Sequence, residues 1–258
     1  MFELSGEQIG TWVGSFMLPF FRIAGLLMAM PIIGTQLVPM RVRVYLALAF
    51  TLVIYPSLPP APVLDALNLA TVFMIAKEVL VGVMLGFVLQ LFFHAFVVGG
   101  QILATQMGFG FASMVDPTNG VSVAVIGQFF TMLVTLLFLA MNGHLVAFEI
   151  MAESFVTLPI GMGLSTNHFW NIATSLGWVL GAGLLLVLPA ITALLIVNIA
   201  FGVMTRAAPQ LNIFSIGFPL TLVMGFVIIW ISLSDFLSHY QLMVSDALQL
   251  LRELVQAK

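Results

Sequence analysis

From Leu69 to about Val98 the chain carries charge only at the adjacent pair Lys77–Glu78. As a helix rising 1.5 Å per residue this run is roughly 44 Å long, more than the ~30 Å hydrocarbon core of a bilayer. A helix apolar all round is either the core of a large protein or a membrane segment. Composition decides between them, because the 258 residues are 62% hydrophobic and only 7% charged. A soluble domain carries roughly 25% charged residues, so this is an integral membrane protein. The net charge of −3 offers no basic field to nucleic acid, and the lack of cysteine excludes disulfides and thiolate metal sites. No Lys or Arg precedes the first apolar run, and Glu3 and Glu7 have the wrong sign for a secretory signal. That run is therefore expected to stay in the mature protein.

Apolar runs extend over Ile9–Ile33, Val44–Leu58, Leu69 to about Val98, Val121–Met141, Trp170–Met204 and Leu220–Leu237. The fold class expected from them is an all-α integral membrane protein with about six long hydrophobic helical segments. No hydrophilic domain or linker divides residues 1–258, which read as a single membrane domain. The second run stops at the prolines 56, 59, 60 and 62, and is short for a crossing. The fifth is overlong, and Gly181, Gly183 and Pro189 mark an expected kink or break. Between the fourth and fifth runs lie an amphipathic patch with Glu149 and Glu153 on one face, then a loop, TLPIGMGLSTNHFW. The C-terminal residues Leu237, Tyr240, Val244, Leu248, Leu251 and Val255 repeat at helical spacing and predict an amphipathic tail. With six crossings, Arg41, Arg43 and Arg206 fall on one side, which the positive-inside rule makes cytoplasmic and the N-terminus periplasmic.

One connection is unlike the rest. Gln106–Ser122, QMGFGFASMVDPTNGVS, holds Met107, Phe109, Phe111, Met114 and Val115 among Gly108, Gly110 and Gly120, with a single charge at Asp116. Loops leaving a bilayer are ordinarily polar, because their backbone groups need water. Glycines alternating with phenylalanines give bulky apolar groups on a bendable backbone. Asp116–Pro117 and Asn119–Gly120 then turn the chain back. Such a segment either plugs a pore or packs tightly against neighbouring helices.

Arg22, Lys77 and Glu78 are charges inside apolar runs. Each costs about 2.5–3.5 kcal/mol at the bilayer centre on insertion scales, so they are expected to be buried in protein or facing a cavity. Lys77 and Glu78 point to different faces of one helix and cannot be each other's sole partner. Two readings stay open: structural ion pairs between helices or subunits, or the ion path of a proton-coupled secondary transporter. His94, His144, His168 and His239 are scattered with no ligand spacing, and no nucleophile or nucleotide-binding motif is present. No enzyme is expected. Three GxxxG pairs, Gly10–Gly14, Gly82–Gly86 and Gly177–Gly181, allow close helix packing.

RAAPQLNIFSIGFPL contains in order Arg206, Pro209, Gln210, Asn212, Phe214, Gly217, Phe218 and Pro219. With FFRIAGLLMAMPIIG, VPMRVRVYLAL, AKEVLVGVMLGF and GFGFASMVDP, this resembles the FliR family of type III secretion export-gate subunits, across essentially the whole chain. The resemblance implies a non-enzymatic pore subunit without cofactor or metal, in the bacterial inner membrane at the flagellar basal body. It implies one copy of the chain among FliP-like and FliQ-like subunits, with FlhB-like and FlhA-like components nearby. Residues about 1–140 would take a FliP-like place and about 141–258 a FliQ-like place. The helices would form tilted, kinked hairpins in a helical hetero-oligomer that passes unfolded flagellar proteins. Met107, Gly108, Phe109, Gly110, Phe111, Met114 and Val115 would plug it.

Overall fold

The computed structural model describes residues 6–59, 68–109, 125–207 and 213–256, with the backbone alone at 6–13, 213–216 and 218. Among the described residues it is helical throughout: α1 (Gly6–Ala29), α2 (Met40–Ile54), a 3₁₀ turn (Tyr55–Ser57), α3 (Leu69–Gln106), α4 (Val125–Ala140), α5 (Gly143–Thr157), α6 (Thr166–Ala207) and α7 (Ile213–Gln256). Local chemistry accounts for most of the boundaries. The Arg43 guanidinium closes the turn before α2 by donating to the carbonyls of Thr35 and, at 2.9 Å, Val38. Asn142, in the left-handed region at φ 58°, separates α4 from α5. Asn tolerates that conformation better than most residues.

α6 begins inside TLPIGMGLSTNHFW, which the sequence predicts to be one loop. Ser165 precedes the helix, and its backbone N–H donates to His168 Nδ1 at 3.0 Å, the reciprocal half of a capping box with His in place of Glu or Gln. The helix therefore begins at Thr166, ahead of the apolar run itself.

Among the described residues the candidate crossings fall short of six. Four of the described helices are long and apolar enough to cross a membrane, or five if the bent α4–α5 pair counts as one span. α1 is predominantly apolar along its described side chains, Gly14–Ala29. The fourth run continues past a turn at Asn142, where α4 ends at Ala140 and the amphipathic patch forms α5. With four or five candidate crossings, Arg41, Arg43 and Arg206 are no longer placed on one side by counting spans.

Of the kink or break expected in the fifth run the break is absent, since α6 passes Gly181, Gly183 and Pro189 as 42 uninterrupted residues. Gly183 serves packing instead. A Cβ there would lie 2.6 Å from the Ala95 carbonyl of α3. The tail is no separate element either, because α7 is 44 residues long and absorbs it. Tyr240, Leu251 and Val255 of the predicted apolar face are buried, whereas Leu237 is exposed.

By internal contacts the chain divides into two compact units. The first comprises Met1–Leu91, Phe138–Ser175 and Asp246–Lys258. Its core includes Leu18, Leu26 and Leu27 of α1, Val81 and Leu85 of α3, and Met151 and Phe155 of α5, all nearly inaccessible. The second comprises Phe92–Leu137 and Leu176–Ser245. Its core is aromatic. Phe92 meets Phe96 and Tyr240 edge to face at centroid distances of 5.3 and 5.8 Å, and Phe130 stacks on Phe236 at 5.6 Å. Offset and edge-on pairs of this kind are favoured by the ring quadrupole.

Candidate functional site

Two places in the chain carry more than ordinary packing. The first is in the first unit, where α1 and α3 touch backbone to backbone. A Cβ on Gly82 would lie 1.9 Å from the Arg22 carbonyl, and one on Gly25 would lie 2.6 Å from the Val79 carbonyl. Gly86 meets Ala29 in the same way, at 2.6 Å from its Cβ. Gly82–Gly86 on α3 thus faces a second small pair, Gly25–Ala29, on α1. Bare backbone at these positions removes the side-chain layer that normally separates helices.

Glu78 stands one turn before Gly82 on the same face of α3, so the close approach delivers Arg22 to it. Arg22 Nε donates to Glu78 Oε2 at 2.7 Å, and Nη2 reaches the same oxygen at 2.6 Å. Both side chains are essentially inaccessible, at 1% and 0% exposure. Arg22 Nη1 donates to the Ser154 carbonyl and hydroxyl of α5 at 2.9 and 3.2 Å, and the guanidinium lies 4.5 Å above the centroid of the Phe155 ring. Glu78 Oε1 accepts the backbone N–H of Gly161, in the α5–α6 turn, at 2.9 Å. Every strong group of the pair has a partner, as burial demands.

Lys77 departs from the expectation of a third buried charge. One residue along a helix is a rotation of roughly 100°, so burying Glu78 turns Lys77 outward, where it is exposed. Its Nζ still reaches the Gly161 carbonyl at 3.3 Å, and its stem lies against Gly163. The neighbours Lys77 and Glu78 therefore hold both polar backbone groups of one residue. Sequence reasoning did not single out Ser154, Phe155, Gly161 or Gly25. The small-residue spacing Gly25–Ala29 was the available signal for the last.

A proton relay needs an acid with a free oxygen and a next group to hand on to. Glu78 has neither, since Oε2 is taken by Arg22 and Oε1 by Gly161. The arrangement holds elements in place and does not favour the ion-path reading.

The second place is the end of α3, in the second unit. Gly108 adopts φ 92°, its N–H donates to the Thr105 carbonyl at 3.1 Å, and the Phe109 N–H donates to the Ala104 carbonyl at 3.0 Å. These are the two bonds of a Schellman cap, with glycine where an L side chain is strained. Gly108 therefore ends a helix in a defined shape and is not a free hinge. Met107 is fully buried and fills the space over Gly225 of α7, where a Cβ would lie 2.5 Å from its Cε. Phe109 meets Phe226 edge to face at 6.4 Å. Replacing Gly108 by alanine is expected to cost about 1–2 kcal/mol, the penalty of a left-handed L residue, read as earlier thermal unfolding in detergent. Gly110, Phe111, Met114 and Val115 lie outside the described residues.

Of the C-terminal signature, Arg206 is exposed in the last turn of α6, where a cation complements the helix dipole. Gly217 is buried and Pro219 exposed in α7, and Phe214 and Phe218 are placed by backbone alone. Pro209, Gln210 and Asn212 lie outside the described residues. Leu186 and Ala190 of α6 and Ile229 and Phe236 of α7 line one small recess of about 20 Å³.

Residues 13–247 match the model of the family described as bacterial export proteins, family 1. The flagellar biosynthetic protein FliR of Escherichia coli K12 is 38% identical over 226 residues, covering 87% of this chain and 86% of that protein. The chain is a member of the FliR family. FliR of Pectobacterium carotovorum is 38% identical over 228 residues, and that of Aquifex aeolicus 32% over 225, covering 85% of each chain. These relatives are flagellar biosynthetic proteins. Among the described residues of this FliR-family chain no three His, Asp or Glu side chains come together as a metal site.

Proposed function

We propose that the chain is a structural pore subunit of the flagellar type III protein export gate in the bacterial inner membrane, at the flagellar basal body. It helps form and plug the channel through which unfolded flagellar proteins cross. Its relatives are flagellar biosynthetic proteins along nearly their whole length. The observation that carries the plug is the end of α3, where buried Met107 and the Gly108 cap fix the point from which the apolar stretch to Val115 departs. An idle protein-conducting pore must not leak ions. Apolar side chains shut it by excluding water, since an ion entering a dry constriction sheds hydration.

Helix length supports membership of a larger assembly. The 38, 42 and 44 residues of α3, α6 and α7 correspond to roughly 57, 63 and 66 Å. Even at a 40° tilt a ~30 Å core takes only about 39 Å of helix. Ile199, Val203 and Met204 at the end of α6 are exposed. Outside lipid these side chains need protein cover, which FliP-like and FliQ-like helices would supply. In this reading residues about 1–140 take the FliP-like place and about 141–258 the FliQ-like place.

The test is deletion of Gly110–Val115, which leaves the Schellman cap intact. Cells carrying the deletion are expected to assemble the complex, yet show raised ion conductance and a lowered membrane potential. An assembled complex in a membrane as tight as wild type would count against the plug.

A further inference from the structure

We infer that the Arg22–Glu78 pair, with Lys77, is a positioning device that sets where the α5–α6 turn seats on α3. The glycines at 25, 82 and 86 already bring α1 and α3 into backbone contact, so the pair is not needed to join them. What the pair adds lies across the helix, at the turn. Glu78 is the acceptor for the Gly161 N–H, Lys77 the donor to its carbonyl, and Arg22 binds the carbonyl and hydroxyl of Ser154 just before the turn. Gly161 and Gly163 stand at φ 92° and 73°, so the turn follows a path that L residues rarely take. Both glycines rest on α3, against Met74 and Lys77. Two residues after Gly163 comes Ser165, whose bond to His168 opens α6. Seating Gly161 thus fixes the first turn of a 42-residue helix.

A buried ion pair can be replaced by apolar groups of similar volume with little loss of stability. The double substitution Arg22→Met with Glu78→Leu preserves the α1–α3 packing and removes the acceptor for Gly161. A turn held only by its chain ends then opens by local unfolding. This inference stands whether or not the chain plugs a pore.

The chain has no cysteine, so a single probe is clean. Leu158, at the root of the turn, is 5% exposed, and Leu158→Cys reports its lifting through maleimide labelling in the purified complex. The double variant is expected to keep its melting temperature while residue 158 labels about tenfold faster, the factor a lost charge-assisted hydrogen bond is worth. Lys77→Met, a change at an exposed site, is expected to raise the rate about two- to threefold through the weaker surface contact. Unchanged labelling in the double variant overturns the inference. If that variant fails to accumulate, Lys77→Met decides, and an unchanged rate there overturns it equally.

Discussion

Replacing Glu78 alone by leucine is expected to destabilise the chain by about 3–5 kcal/mol, the usual cost of stranding one member of a buried pair. Three losses coincide. The Arg22 guanidinium remains at 1% exposure with no counter-charge. Its Nε loses its acceptor, and so does the Gly161 N–H. The Ser154 contacts and the Phe155 ring still face Arg22, but neither supplies a negative charge. Arg22→Met alone is expected to cost a similar amount, because Glu78 is then the stranded charge. The two together are expected to cost much less than their sum, since neither charge is left behind. Denaturant titration in mild detergent checks all three variants. Additive losses would mean that the charges act separately and that the pairing contributes nothing.

The second large effect is expected from one methyl group. Gly82→Ala places a Cβ 1.9 Å from the Arg22 carbonyl oxygen and 2.8 Å from the Leu26 nitrogen. Both are backbone atoms of a helix, so no rotamer change relieves the clash and α1 must move away from α3. Overpacking costs typically about 1–3 kcal/mol, and with only backbone to yield the value is expected near the top of that range. The same displacement lengthens the Arg22–Glu78 contact, so turn and helix contact fail together. Gly177→Ala is the matched control. Among the described residues nothing beyond its own turn of helix would lie within 4 Å of a Cβ there, and alanine gains about 0.8–1.0 kcal/mol of helix propensity over glycine. Thermal unfolding of the two variants side by side separates a packing clash from a general intolerance of alanine. Equal behaviour would remove the case for a glycine-set contact between α1 and α3.

The glycine pairs make plain how a motif and its use come apart. Gly82–Gly86 and Gly177–Gly181 share one spacing and are indistinguishable as strings. In the fold the first pair is pressed against α1, whereas among the described residues the second has open space around it. Spacing determines that a helix face is smooth. Which helix lies on it is a property of the whole chain.

Charges divide in the same way. The opposed directions of Lys77 and Glu78 follow from the helical repeat, and Glu78 is accordingly buried while Lys77 is exposed. The partner of Glu78 is 56 residues away, and Arg22 reaches a further 132 residues to Ser154. No local pattern encodes such pairings, because they arise only when separate helices pack. Gly108 stands out in the sequence as a glycine between bulky apolar residues, and two backbone hydrogen bonds in the fold make it a helix cap.

What the chain alone settled was its class and kinship. Long apolar stretches with almost no charge admit a helical membrane protein, and the Arg206–Pro219 signature with its companions points to one family. Both are properties of composition and order along the chain. The tertiary structure decided how many stretches are long enough to cross, that the sixth run and the tail are one helix, and where α6 begins. It also decided that two lone charges close on each other around a turn. Helix continuity depends on caps and on packing that outweighs a proline or glycine, and ion pairing depends on distance in space. Neither is written in hydropathy, which measures only what each residue prefers alone.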